Sequence, residues 1–146
     1  MWWNDRQRFD KEMLEMARLP NYRFFWNDSA GGSNGCWVGV QPGELTGTRY
    51  SVEIRYTDQF PWAPPAAFIL DPRVLVSPHR FADGSLCLFD RTSAWRFLSA
   101  QAIATQVALW IFCQETWELT GGHAKYLSTG SIRDTFDFWP APQERH

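Results

Sequence analysis

Between residues 22 and 70 the chain alternates short runs of aromatic and β-branched residues with loops too short to carry a crossover helix, and this leaves few folds open. Tyr22-Arg23-Phe24-Phe25-Trp26 is followed by a loop from Asn27 to Gly35, rich in Asn, Ser and Gly, and then by Cys36-Trp37-Val38-Gly39-Val40. Gln41 to Gly47 turns the chain. Through Thr48 to Tyr56 the residues Tyr50, Val52, Ile54 and Tyr56 alternate with polar ones, the period of a strand with one buried face. Ala67-Phe68-Ile69-Leu70 comes fourth, after a proline-rich bend. Parallel neighbours need a crossover of about a dozen residues or more, so these connections predict an antiparallel four-stranded meander.

Helical spacing brackets the strands. From about Asn4 to Leu19, Phe9, Met13, Met16 and Ala17 recur on one face with charges between them, a core-facing stripe that Pro20 ends. Ser99 is a good N-cap for a second helix, in which Ile103, Val107, Trp110 and Ile111 form one apolar stripe and which Gly121-Gly122 terminates. Ser131 and Asp134 mark the start of a short helical tail. The order predicts an α+β domain whose helices cover one face of a sheet. With 146 residues and no repeat, linker or low-complexity tract, residues 1–146 read as a single domain, large enough to bury a core without metals or disulfides.

Composition narrows the function. A net charge of −2 supplies no basic footprint, so neither nucleic acid nor an acidic membrane surface is expected as a partner. The start of the chain lacks the layout of a secretory signal, and the longest apolar run, Val107 to Cys113, falls far below the roughly 18 residues of a membrane span. Cys36, Cys87 and Cys113 contain no C-x-x-C pair, which predicts neither a disulfide framework nor a zinc site, and a reducing, cytoplasmic location. Of the nine tryptophans, most belong to a core, while Trp2, Trp3, Trp62 and Trp139 lie near termini or a loop and are candidates for a partner interface.

The chemistry concentrates in Ser77-Pro78-His79-Arg80-Phe81-Ala82-Asp83-Gly84-Ser85-Leu86-Cys87-Leu88-Phe89. A Pro-His pair and an Asp-Gly turn before the thiol are features of a nucleophile on an ordered loop, whereas a thiol filling a core needs neither. Cys36, in a strand, and Cys113, on the apolar side of a helix, read as inert.

This segment resembles the active-site motif of the ubiquitin-conjugating (UBC) family, in which a His-Pro-Asn tripeptide precedes Gly-x-x-Cys-Leu. Ser77-Pro78-His79 falls ten residues before Cys87 (87 − 77 = 10), where the tripeptide belongs, and Gly84-Ser85-Leu86-Cys87-Leu88 fits the cysteine end. Tyr56-Thr57-Asp58-Gln59-Phe60-Pro61-Trp62-Ala63-Pro64-Pro65 is similar to the family's Tyr-Pro-x-x-x-Pro-Pro segment, slightly lengthened, and Trp95 matches the tryptophan after the cysteine. The likeness covers residues 5 to 120 and implies a UBC-like fold, with the long second helix following the active-site cysteine.

The resemblance implies that Cys87 carries a thioester. An activating enzyme would hand it an acyl donor's C-terminus, and an amine of an acceptor protein would take it. The tripeptide departs from the family: His79 stands where the oxyanion asparagine belongs, and Ser77 where the histidine belongs. An imidazole donates one hydrogen bond and an imidazolium two, so His79 can steady an oxyanion, raise the thiolate fraction of Cys87, or tie the loop to the sheet. Such a tripeptide is similar to the divergent bacterial branch, found in antiphage operons of the CBASS kind or in bacterial ubiquitin-like conjugation operons. The donor implied is then a cyclic-nucleotide synthase or a ubiquitin-like protein. Asp90, Glu115, Glu118 and His123 are candidates to orient the incoming amine, though each carboxylate reads first as a solvated surface charge, and Asp83 and Arg91 are candidates to shape the mouth of the site. Two other readings stay open: a non-catalytic binding module of the same fold, and a thiol hydrolase with a Cys87–His79 dyad.

Overall fold

The computed structural model describes residues 1–26, 34–74, 83–86, 88 and 98–121. After a 3₁₀ turn at Trp2–Asn4, the elements are α1 (Arg6–Met16), β1 (Tyr22–Phe25), β2 (Cys36–Pro42), β3 (Arg49–Arg55), β4 (Ala66–Asp71) and α2 (Ala100–Leu119). The strands form one sheet in the order β1-β2-β3-β4, each antiparallel to its neighbour. The α+β architecture with a four-stranded antiparallel meander, an N-terminal helix and a long later helix is therefore present. The tail expected around Ser131 and Asp134 lies outside the described residues.

Local chemistry sets the boundaries. Asp5 caps α1 by accepting from the Arg8 amide at 3.2 Å, and Ser99 caps α2 by accepting from the Ala102 amide at 3.2 Å; each cap serves an amide that has no partner within the helix. α1 stops at Met16, before Pro20, which can neither donate nor continue a helix.

Register decides which side chains meet. Trp37 pairs with Ile54 and Gly39 with Val52, Phe24 with Trp37 and Tyr22 with Gly39, and Ala67 with Ile54 and Ile69 with Val52. These residues share the face that α2 packs against, through β3 and β4, with α1 against α2. The core holds Val52, Ile54, Ile103, Val107 and Trp110, all at 0 % exposure. Burying side chains of this size contributes about 1.5–3 kcal/mol each. The other face carries Glu53 and Arg55, ion-paired at 2.7 Å, with the Arg55 guanidinium 4.2 Å over the Phe68 ring.

Three expectations change. Ala17 is exposed, because α1 has already ended at Met16, and the buried place in the stripe goes to Glu12 instead. Trp2 is no terminal interface residue: it is 5 % exposed, its ring lies 4.1 Å from Tyr56 and 5.3 Å from Phe60, and its Nε1–H donates to the Asn34 carbonyl at 2.7 Å. Glu115 is buried as well. Trp3 is half-buried, with Trp26 edge-on 5.8 Å away, Trp62 is exposed, and Trp139 lies outside the described residues.

Candidate active site

The stretch from Asp83 to Leu86 is built as a turn that hands the chain to the edge of the sheet. Asp83 Oδ1 accepts from the Ser85 amide at 2.9 Å and from Ser85 Oγ at 2.6 Å, an Asx-type turn. Gly84 sits at φ +91° with open space around it, a conformation that other residues reach only at a cost. The Leu86 amide then donates to the Ala67 carbonyl at 2.9 Å, pinning the segment to β4. Leu86 and Leu88 are both buried and belong to the core cluster, so the residues on either side of Cys87 are anchored. Cys87 and His79 lie outside the described residues, as do Ser77, Pro78, Asp90, Arg91, Trp95 and His123.

The approach to β4 is equally fixed. In loop 57–65 the Thr57 carbonyl accepts from the Phe60 amide at 3.1 Å, and the Gln59 carbonyl accepts from the Ala63 amide at 3.0 Å. Phe60 is buried, while Trp62, two residues on, is 63 % exposed.

The other two cysteines are poorly suited to nucleophilic work. Both are buried. Burial, aided by Glu53 nearby, pushes the Cys36 thiol up to about 11, and burial pushes the Cys113 thiol up to about 12. Only the thiolate attacks carbonyl carbon efficiently.

Two buried carboxylates organise the rest, and reading the sequence missed both roles. Glu12 Oε1 accepts from Tyr56 Oη at 2.7 Å and from the Ala100 amide at 2.9 Å; Trp37 Nε1–H donates to the same tyrosine oxygen at 3.0 Å. Glu115 accepts from the Leu45 amide at 3.1 Å and Tyr50 Oη at 2.9 Å, and from Thr46 Oγ1. Gly43 packs directly on the Glu115 carboxylate and leaves no room for a Cβ. Arg49 pairs with Pro42 at this turn, whereas Arg55 pairs with Ala66, beside the Ala67 carbonyl that holds Leu86. Glu115 therefore serves the far end of the sheet. It is neither a solvated charge nor a neighbour of the Leu86 segment. Glu118 is exposed and accepts from Gln114 Nε2 at 2.6 Å.

Burial, the largest influence, raises the Glu12 carboxyl above its ordinary 4.5, with the Ala100 amide and Tyr56 hydroxyl pulling the other way and Glu15 and Lys11 making smaller, opposed contributions. The folded protein thus binds this proton more tightly than the unfolded chain. The stability it contributes is complete below pH 4.5 and lost as pH rises through the folded-state value. Glu12→Gln cannot titrate, so its melting temperature is expected to gain on the wild type's as pH rises above 4.5. Parallel melting curves for the two proteins across that range would contradict the assignment.

Among the described residues no group of three or more His, Cys, Asp or Glu could hold a metal ion, and no helix is long and apolar enough to cross a membrane. A four-stranded meander between two helices, with a turn-and-anchor segment beside β4, is consistent with a UBC-like fold. The model of the Type II CBASS E2 protein family matches residues 12–125, and the chain belongs to that family. Membership gives it an E2-like conjugation role in a bacterial antiphage system. No curated protein matches the chain.

Proposed function

We propose that the protein is a conjugating transferase that carries an acyl group as a thioester on Cys87. The Cys87 thiolate attacks the carbonyl of a donor C-terminus held as a thioester on an activating enzyme, and that enzyme's thiolate leaves. An amine of the acceptor then attacks the new thioester. The tetrahedral oxyanion collapses, Cys87 thiolate departs, the nitrogen loses a proton, and an amide remains. ATP is consumed at the activating step, so this subunit needs neither nucleotide nor metal. The acyl donor is a cyclic-nucleotide synthase or a ubiquitin-like protein.

The observation that supports this reading best is the anchoring of both neighbours of Cys87: an Asx-type turn leads into an amide bonded to β4, with Leu86 and Leu88 buried. A conjugating cysteine needs an ordered loop and a shallow position more than a strong base, since thiolates exchange readily between thioesters. His79 occupies the place in the motif from which a donor stabilises the oxyanion. His79→Ala is expected to leave thioester formation intact and slow transfer to the amine about 10²-fold. Equal losses in both steps would assign His79 to the loop instead.

The deciding experiment is co-expression of Cys87→Ser protein with its operon neighbours, followed by intact-mass analysis. An oxyester adduct at position 87 identifies a conjugating enzyme, and its mass identifies the donor. Tight non-covalent binding to a neighbour, with no adduct, would instead make the protein a docking module.

A further inference from the structure

Glu12 stands at an interior position where packing alone would favour an apolar side chain. It is 0 % exposed, it falls on the Phe9, Met13, Met16 stripe of α1, and its Oε2 has no hydrogen-bond partner among the described residues. Burying a carboxyl group with one oxygen unsatisfied is costly, so what offsets the cost at this position is the bonding of Oε1. One thing it does is satisfy an amide that α2 leaves open. Ser99 Oγ serves Ala102, and the Ser99 carbonyl accepts from Ile103, but the Ala100 amide has Glu12. A carboxylate at that end is also favoured by the helix dipole.

The second thing is to hold Tyr56, the residue between β3 and loop 57–65. Tyr56 brings Trp37 of β2 into the same network, and the loop it starts runs into β4, whose Ala67 carbonyl holds Leu86. On the other side, Ala100 and Ser99 follow directly on Leu98, a residue packed against the core. One carboxylate oxygen therefore ties down chain on both sides of the segment that carries Cys87: the loop leading to β4 before it, and the first turn of α2 after it.

We infer that Glu12 is a positioning residue for acyl transfer at Cys87, acting through Tyr56 and the Ala100 amide without touching the reacting groups. This rests on the thioester reading given above. A misplacement of about 1 Å at a reacting group can cost on the order of 100-fold in rate, so a remote anchor of this kind is enough to be felt in transfer.

The test uses the full chain and two readouts: peptide-resolved alkylation of all three cysteines by iodoacetamide, and single-turnover discharge of the Cys87 adduct onto lysine. In Glu12→Ala, Cys87 alkylation is expected to change by about fivefold or more and discharge to slow about tenfold, while Cys36 and Cys113 stay protected. Glu12→Gln keeps the acceptor oxygen and should return both rates to within about twofold of wild type. Wild-type rates at Cys87 in folded Glu12→Ala would overturn the inference. So would Cys36 and Cys113 becoming reactive in step with Cys87, which marks general loosening. If Glu12→Ala does not fold, Tyr56→Phe decides: a shift of about threefold at Cys87 supports the inference, and no shift overturns it. If the wild type forms no adduct yet its Cys87 alkylation depends on Glu12, the thioester reading fails while Glu12 remains the residue that sets the surroundings of Cys87.

Discussion

Cys87→Ala protein, combined with its activating enzyme and donor, is expected to form no reducible adduct, a loss of at least about 10³-fold in conjugation. The size of the effect follows from the absence of a substitute. Cys36 and Cys113 are buried thiols, and burial weakens them as acids, pushing their pKa values up to about 11 and about 12. At neutral pH a thiol near 11 is ionised in roughly one molecule in ten thousand. Neither can then be approached by two large partners in turn. The assay is a non-reducing gel with and without thiol reductant. A reductant-sensitive adduct persisting in Cys87→Ala would move the chemistry to another residue and sink the proposed function.

The largest loss of stability is expected from Glu115→Ala. That substitution strips the acceptor from the Leu45 amide, Thr46 Oγ1 and Tyr50 Oη together. Burial and the neighbouring carboxylate already push the Tyr50 hydroxyl up to about 12, so it stays a neutral donor throughout the physiological range. Leaving three donors of a part-buried network without their acceptor costs about 3–5 kcal/mol, and for a chain of this size that lowers the melting temperature by roughly 10 °C or more. Cys87 alkylation should change little in the fraction that stays folded, because Glu115 serves the far end of the sheet. A melting temperature within about 2 °C of wild type would show that the turn holds without it.

The contrast between the two carboxylates and the strands shows what is readable in the chain. Strand positions follow from the alternation of Tyr50, Val52, Ile54 and Tyr56 and from short loops, and α2 from a serine cap before an apolar stripe. These are local signals, and the meander needs nothing else. Glu12 and Glu115 bond to groups 44 to 88 residues distant in sequence, beyond any local pattern, so the general preference of carboxylates for water points the wrong way for both. A signal is present even so. Glu12 falls three residues after Phe9 and four before Met16, and Glu115 falls four residues after Ile111, so helical periodicity puts both on inward faces. Trp2 defeats the reading for another reason: a position near the start of the chain says nothing about burial. For the cysteine segment, the Asp83-Gly84 turn is legible in sequence, whereas the Leu86–Ala67 bond to β4 depends on the completed sheet.

The bond between Glu12 and Ala100 spans 88 residues, whereas every strand in the sheet pairs with its nearest neighbour along the chain. During synthesis, all four strands and α1 have been made once Asp71 has been added. The helix that covers Val52, Ile54, Ala67 and Ile69 is still to come. The nascent sheet thus waits with an oily side bare, and α2 is both its cover and the source of the amide that completes the Glu12 network. A chain cut short before Ala100 would keep Glu12 and Tyr56 but lack the Ala100 amide, leaving a sticky fragment, so that covering the core and closing the Glu12 network are one event in the life of the polypeptide.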